Sequence, residues 1–449
     1  MNLKLKKYIS ITLILITTTG LWAQKVLTLD ECLKLAMENN IELKRVKNNH
    51  LIAKANAYQA WMNFLPALDA SINYDFFKGN FFDTNAARQV SEVTNSSNPR
   101  LRTSVTLFNG LSNQYNLKAS KNSLRSAENG IEEQKQQVRT TVLTSYLLVV
   151  LDKENIKIST ATVKLLEQQL DREVKRESVG VGNMEQVFNF KSNLANENLN
   201  LINNKNSLRG NKLALLQSLR LDPTDPITIA PFDLVDNNLL IELEPFNSVL
   251  NQILNTSPSL KRAELSSASS EYAFKSARGQ MMPTITAFGQ VGSNYSSNGA
   301  LNPESGSFEP SASFSDQLGF NQFRYLNLQL SIPIFNNWRN RNSMQVSKLA
   351  MYNAELDLEQ TKLSITNTVE RVYSDLVSAQ ETYKAAQENL SAINQSFEFA
   401  KTRYDAGNTD FYTYRESLNN KNRAELELVN AKYSIVFRKK ILDVFKGTF

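Results

Sequence analysis

The side chains that could carry chemistry are few and badly spaced for it. The chain has one His and one Cys, His50 and Cys32. One of each cannot build a His/Cys metal site, and a lone Cys forms no internal disulfide. With His50 as the sole imidazole, no His/Ser/Asp set is available beyond that lone residue. No Gly-x-x-x-x-Gly-Lys-Ser/Thr or Gly-x-Gly-x-x-Gly stretch offers a phosphate cradle. The adjacent carboxylates Asp30-Glu31 and Glu132-Glu133 fall in helical runs, where they read as caps or solvated faces. His50 sits in a polar helical run and reads as a surface residue. The sequence therefore predicts no enzyme, no cofactor and no metal.

What the chain does carry is pattern. In residues 325–335, Leu326, Leu328, Leu330, Ile332 and Ile334 alternate with Asn327, Gln329, Ser331 and Pro333. Period two puts the aliphatics on one strand face. Pro333 cannot donate in a ladder, so it marks a strand end or bulge. From Trp338 the period changes. Val372, Leu376, Ala379, Tyr383, Ala386, Leu390, Ile393, Phe397, Ala400 and Tyr404 follow at steps of four and three, a heptad seam.

The first half repeats this. Leu101, Thr103, Val105 and Leu107 alternate with Arg102, Ser104 and Thr106. Phe108-Asn109 and Phe335-Asn336 lie 227 positions apart, as do Arg176-x-x-x-Gly180 and Arg403-x-x-x-Gly407. Upstream, Leu43-Lys44-Arg45 and Leu260-Lys261-Arg262 lie 217 apart, as do Pro66 and Pro283. The chain is an internal duplication, with ten extra residues between Pro283 and Phe335. A second seam runs through Ser145, Val149, Asp152, Ile156, Ser159, Val163, Leu166 and Leu170. A helix over 111–179 would span roughly 100 Å at ~1.5 Å per residue.

Residues 1–23 read as a signal peptide, with Lys4, Lys6 and Lys7 before an apolar run of about a dozen residues. The formal charge is +6, and +3 without those lysines, too weak to argue for nucleic acid. No apolar run after the signal reaches the ~18 residues of a membrane helix, so any crossing must use strands. Repeat one spans 24–220. It comprises a helix over 28–64 with a Thr28/Glu31 capping box, a strand from Leu68 to Phe76 and a polar hairpin loop over 83–100. The return strand, the long helix, a tip turn near 180 and a return helix over 184–219 complete it. Residues 221–246 are a connector, in which Ile227–Ile229 could form a short strand. Repeat two, 247–449, has the same parts: a helix over 246–282 interrupted at Pro258, a strand over 284–295 and a longer loop over 296–323. Its tip turn lies near 407.

Each strand is long enough to cross a bilayer when tilted. Four strands cannot enclose a water-filled lumen, and open strand edges in lipid cost several kcal/mol per unpaired group. The expected fold is mainly α with a transmembrane β part. Long heptad helices form an α-barrel in a trimer, topped by a shared 12-stranded β-barrel with four strands per chain. Leu326, Leu328, Leu330, Ile332, Ile72 and Tyr74 are the expected lipid-facing residues.

In the order of these features the chain resembles the TolC-type outer-membrane efflux proteins. The resemblance covers 24–449. It rests on Thr28-Leu-x-Glu-Cys-x-x-x-Ala36, the Pro66 and Pro283 strand entries, the duplicated Phe-Asn strand ends and the duplicated Arg-x-x-x-Gly tips. It implies a homotrimeric conduit in the outer membrane of a Gram-negative bacterium, extending into the periplasm and working with a periplasmic adaptor and an inner-membrane pump. It also implies that Val179, Gly180, Val181, Ala406, Gly407 and Asn408 meet the adaptor, and that a periplasmic gate involves Tyr404, Glu416, Thr413, Gln186 and Thr409. Tyr404 and Glu416 match the family's tyrosine lock and second acidic ring. Thr413 and Gln186 stand where acids are often found, and Thr409 where an arginine can sit, so the charged lock is only partly present. A Glu416 ring would bring three like charges together and could recruit cations. Two other readings stay open: a secreted or surface coiled-coil structural protein, and a stand-alone passive porin. The cargo and the class of pump are not encoded in these patterns.

Overall fold

The computed structural model describes residues 25–83, 88–91, 93–224, 226–232, 239–240, 242–298, 300–301, 308–309 and 312–448. The expected signal segment lies outside them. In chain order, β1 (Lys25–Leu27) leads to α1 (Leu29–Asn39) and α2 (Ile41–Met62). Six strands follow: β2 (Ala67–Ser71), β3 (Tyr74–Lys78), β4 (Phe81–Asp83), β5 (Arg88–Val90), β6 (Val93–Ser97) and β7 (Arg100–Asn109). Then come α3 (Ser112–Ser178), α4 (Met184–Leu219), β8 (Ile227–Ile229), α5 (Phe246–Thr256) and α6 (Pro258–Gly279). β9 (Thr284–Gly292), β10 (Tyr295–Ser296), β11 (Ala300–Leu301), β12 (Phe308–Glu309), α7 (Phe314–Phe320) and β13 (Phe323–Ser331) precede α8 (Arg339–Asp405) and α9 (Phe411–Lys446).

Helix lengths pair off. α1 and α5 have 11 residues and α2 and α6 have 22, both pairs at the 217 offset. α3 and α8 have 67 and α4 and α9 have 36, both at 227. Several sequence expectations need correction. The helix expected over 28–64 breaks at Asn40, whose ψ of 121° is extended and whose Oδ1 caps the next helix by accepting from Leu43 N at 2.9 Å. The strand expected from Leu68 to Phe76 is two strands in different sheets, interrupted at Ile72 and Asn73. The polar segment 83–100 contains β5 and β6, and the second loop contains α7. β6 shows no apolar alternation because the side chains it buries, Thr94 and Ser97, carry hydroxyls. β13 ends at Ser331, so Ile332 lies beyond the strand, next to Pro333. His50 is half-buried, and its Nδ1 has no partner among the described residues.

The chain forms two compact units. One comprises Met1–Lys47, Ile131–Pro258 and Lys362–Phe449, the other Asn48–Gly130 and Ser259–Thr361. The core of the first begins at the parallel ribbon β1–β8. Leu27, Cys32, Leu143, Tyr146, Leu219, Ile229 and Phe437 meet there with less than 2 % exposure. Tyr146 Oη donates to Ala230 O at 3.0 Å, and Lys153 Nζ donates to Ile229 O, tying α3 to the ribbon. Burial, then the nearby Lys212, holds the Lys153 pKa below its usual range. Burial also pushes the Cys32 thiol up to about 12, so it stays a thiol. A second cluster joins α5 to α8 and α9 through Val249, Ile253, Val369, Leu376 and Ile435.

The other unit holds a four-stranded antiparallel sheet in the order β13-β9-β7-β2. Register assigns its faces. Leu326–Gly289–Thr103–Leu68 is one row across the sheet, and Leu328–Ala287–Val105 is the next on that face. The opposite face carries Tyr325–Gln290–Arg102–Asp69 and Gln329–Thr286–Thr106. A bulge at Leu107 shifts the β7 register. Phe288 also lies in the polar rows, opposite Asn327 and Ser104. A separate sheet, β10-β6-β3, has its β10 strand closed by a side chain. Gln317 accepts from Ser296 N at 3.1 Å and donates to Ser296 O at 2.9 Å. Among the described residues no helix is long and apolar enough to cross a membrane.

Candidate functional site

Both long helices end in the same backbone device. At the end of α3, Gly180 adopts φ 77°, its N–H bonds Glu177 O at 2.9 Å, and Val181 N–H bonds Arg176 O at 3.0 Å. At the end of α8, Gly407 adopts φ 76°, its N–H bonds Tyr404 O at 2.9 Å, and Asn408 N–H bonds Arg403 O at 2.8 Å. These are Schellman endings, in which a left-handed residue just past the helix satisfies the last carbonyls; glycine does so without strain. The arginine of each Arg-x-x-x-Gly motif is the residue whose carbonyl closes the loop. Three residues past each glycine a new helix is capped. Asn183 accepts from Glu185 N at 2.9 Å, and Asp410 accepts from Thr413 N at 2.9 Å.

Val179 and Val181 are 72 % and 71 % exposed, and Gly180, Ala406, Gly407 and Asn408 also face outward. Two exposed valines at a helix turn make an apolar point on the surface of the described residues.

Behind the tips lies an aromatic knot. Phe190 of α4 meets Phe411 of α9 edge-on at 4.4 Å between centroids, with Tyr404 of α8 at 6.2 Å and Tyr414 of α9 at 6.4 Å. Tyr404 and Tyr414 stack at 4.9 Å, and Phe397 and Leu166 complete the cluster. Lys421 Nζ lies 4.7 Å over the Phe397 ring. Polar groups of α3 enter the same knot. Arg172 is paired with Asp405 of α8, and Arg176 with Glu173 at 3.3 Å. The Glu173 side chain is 1 % exposed. Burial, then the charge of Glu173, raises the Tyr404 pKa above the usual phenol range. Burial, then the charge of Asp405, pushes Tyr414 up to about 12. Both phenols are neutral at any physiological pH.

The sequence-derived gate residues separate on this scaffold. Tyr404 is inside the knot with 3 % exposure. Glu416 is exposed on α9, Thr409 is half-buried in the turn, and Gln186 is half-buried on the first turn of α4. Thr413 is occupied by the cap, its hydroxyl donating to Asp410 Oδ2 at 2.9 Å. The sequence reading missed Glu173, Arg172, Asp405, Phe190 and Tyr414. A signal for Glu173 was present: the first seam, continued three residues past Leu170, lands on it.

The second set of candidate residues lies on β13. Leu326, Leu328 and Leu330 are 88 %, 69 % and 60 % exposed on the apolar face of the four-stranded sheet. Ile72 and Tyr74 are equally exposed, but Ile72 lies in the break after β2 and Tyr74 in the other sheet. Among the described residues, β13 and β2 each have one paired edge and one open edge.

This architecture is similar to that of solved outer-membrane proteins. VceC of Vibrio cholerae matches with a TM-score of 0.80 at 14 % identity, covering 93 % of this chain and 96 % of VceC. The CmeC outer membrane channel of Campylobacter jejuni matches with a TM-score of 0.77 at 19 % identity, covering 94 % of this chain and 86 % of CmeC. Protein CyaE of Bordetella pertussis is 27 % identical over 193 residues, and the match spans 37 % of that protein's length. The family model for the outer membrane efflux protein matches residues 32–219 and 249–440, one segment in each half. The chain belongs to the outer membrane efflux protein family.

Proposed function

We propose that the chain is the outer-membrane channel of a tripartite efflux or secretion system. It passively conducts substrates handed over by an inner-membrane pump and a periplasmic adaptor. After removal of residues 1–23, repeats 24–220 and 247–449, joined by 221–246, assemble as a homotrimer. Three four-stranded sheets close one 12-stranded barrel in the outer membrane, and the seamed helices form an α-barrel in the periplasm.

The observation that carries this reading is the sheet β13-β9-β7-β2. One face is aliphatic and exposed, the other polar, and both outer strands have an unpaired edge. A face of exposed leucines suits lipid. Open edges do not, because each unpaired backbone group in hydrocarbon costs several kcal/mol. Pairing β13 of one copy with β2 of the next removes every edge and turns the Arg102 and Asp69 face to a lumen.

The exposed tips 179–181 and 406–408 receive the adaptor, and Tyr404, Glu416, Thr413, Gln186 and Thr409 lie at the gate. Glu416 is free to form an acidic ring, whereas Thr413 serves the Asp410 cap. The test is direct. The mature protein, extracted from outer membranes in detergent, should have the mass of a trimer. Deleting 179–181 or 406–408 should abolish export while leaving that mass unchanged. A water-soluble monomer would remove the conduit, and unchanged export would remove the adaptor role of the tips.

A further inference from the structure

The ladder places four helix junctions at one end of the sheet β13-β9-β7-β2. Asn109, Thr284 and Ser331 align there, and β2 opens toward the same end at Ala67. The segments of α2, α3, α6 and α8 that meet this end share an unusual charge balance. Residues 48–68, 110–127, 272–283 and 332–354 hold one, three, two and three Lys or Arg, and no Asp or Glu. The whole chain nearly balances 50 Lys and Arg with 44 Asp and Glu, so the excess is local. Among the described residues, Lys275 alone of these cations is ion-paired, with Glu271 at 2.5 Å. Arg339 and Arg341 lie in the first turn of α8, Arg278 in the last turn of α6 and Lys118 six residues into α3. Each stands within ~10 Å of its helix end, measured along the axis.

Apolar rings share this end. Trp61 and Trp338 are the only tryptophans after residue 23, six and seven residues from a strand end, and both are exposed. Tyr58 lies beside Trp61, with ring centroids 6.0 Å apart. Ile334 and Phe335, between β13 and Trp338, are exposed as well. Trp338 is held at φ 64°, a left-handed conformation that bulky side chains rarely adopt. The Arg341 guanidinium covers its ring at 4.8 Å, and Asn340 Nδ2 ties the turn to Gln280 O at 2.7 Å. A large ring fixed in a strained turn and left 56 % exposed belongs to a surface, not to a core.

We infer that the turn Trp338–Arg341 binds the headgroup of an anionic phospholipid in the periplasmic leaflet of the outer membrane. This rests on the reading of the sheet as part of a membrane wall. The aliphatic face of β13 then ends at Leu330, and Ile334, Phe335 and Trp338 continue it into the interfacial layer, where amphipathic rings settle. A guanidinium offers a planar fork of donors that fits two phosphate oxygens. Stacking over Trp338 restrains the Arg341 plane without using its N–H groups. Arg339 adds a second cation two residues away. Zwitterionic lipids carry the same phosphate with an ammonium of their own, so unpaired arginines select the lipid with net negative charge. Exposed apolar side chains beside the arginines favour a lipid over a soluble anion.

The test uses the full mature protein with Trp61→Phe, which leaves Trp338 as the reporter, in phosphatidylcholine vesicles. Part of the lipid carries bromine on the upper acyl chain, either as phosphatidylglycerol or as phosphatidylcholine, and bromine quenches a neighbouring indole. Brominated phosphatidylglycerol should reach half-quenching at a mole fraction on the order of tenfold lower. Arg339→Gln with Arg341→Gln should close that gap while quenching by brominated phosphatidylcholine persists. Salt repeats the test without those two substitutions: raising ionic strength should narrow the gap, and a gap indifferent to salt would overturn an electrostatic site. Inorganic phosphate at matched ionic strength should leave the gap open; closure would overturn the lipid assignment in favour of a free anion. Equal quenching by the two lipids would overturn this inference and leave the membrane reading standing. No quenching by either would overturn both.

Discussion

At residues 110–111 and 337–338 the chain leaves a strand and enters a 67-residue helix through two consecutive left-handed residues. The first turn uses Gly110 and Leu111, with φ 65° and 63°; the second uses Asn337 and Trp338, with φ 54° and 64°. The backbone is shared and the residues are not. In the first turn a Cβ on Gly110 would lie 2.2 Å from Gly279 O, and one on Gly279 would lie 2.5 Å from Gly110 O. Ser112 Oγ and Ser276 Oγ, 2.9 Å apart, bind the same two segments. In the second turn Asn337 tolerates the left-handed region because its short amide suits it. Trp338 lies under the Arg341 guanidinium at 4.8 Å, and Asn340 Nδ2 donates to Gln280 O at 2.7 Å. Duplication thus preserved a conformation, and whichever backbone came near decided the residue type.

The comparison breaks most easily at the glycines. Gly110→Ala adds a backbone clash to left-handed strain and should destabilise by about 3 kcal/mol or more. Asn337→Ala, at the equivalent position, should lose only about 1 kcal/mol. Thermal melts of the two variants side by side would show the gap; equal shifts would mean that the Gly110–Gly279 approach is not what selects glycine.

The aromatic knot gives a second contrast of at least that size. Phe190 is wholly buried, whereas the residue 227 positions on, Ser417, is half-buried. Phe190→Ala should cost about 3–5 kcal/mol, concentrated at the tips, and Ser417→Ala less than about 0.5 kcal/mol. Exchange protection of residues 397–418 would report it. Similar losses at both positions would show that the knot is not centred on α4.

The same asymmetry explains what could be read without coordinates. Spacing was legible: the landmarks at 217 and 227 are where helix bounds and left-handed residues recur. The seam was legible because nearly invariant steps of four and three admit one geometry. Strand limits were less so, because polar strands such as β6 bury Thr94 and Ser97, and hydroxyls give no apolar alternation. The break at Asn40 was hidden because asparagine fits a helix interior or a cap with little difference in sequence. Glu173 was hidden for the opposite reason. It occupies a seam position, where a charged residue ends the pattern being followed; Ala400, its counterpart in the second half, continues it.

The tip glycines sharpen the comparison from the other side, because there the halves should behave alike. A Cβ on Gly180 or Gly407 meets nothing within 4 Å, so only the positive φ resists substitution. Gly180→Ala and Gly407→Ala should each cost about 1 kcal/mol, and the double variant the sum. Non-additive melts would reveal contact between the tips in the assembled protein.

The smallest effect separates the tips by charge. α4 is capped by Asn183, which does not titrate, and α9 by Asp410, which does. Bonds from the Thr413 backbone and hydroxyl hold the Asp410 pKa below the usual carboxylate range. A depressed folded pKa means stability that is present above the unfolded value, about 3.9, and lost as pH falls through the folded value. Acidification from pH 6 to pH 3 should therefore fray the first turn of α9 through its cap, while the cap of α4 is unaffected. Asp410→Asn should keep the Thr413 N–H bond and remove the acid sensitivity of that turn. Exchange rates of residues 411–414 against pH, wild type minus variant, would show a difference that grows only in the acid range. A difference of the same size at neutral pH would mean that the carboxylate's charge, rather than its titration, sets the cap.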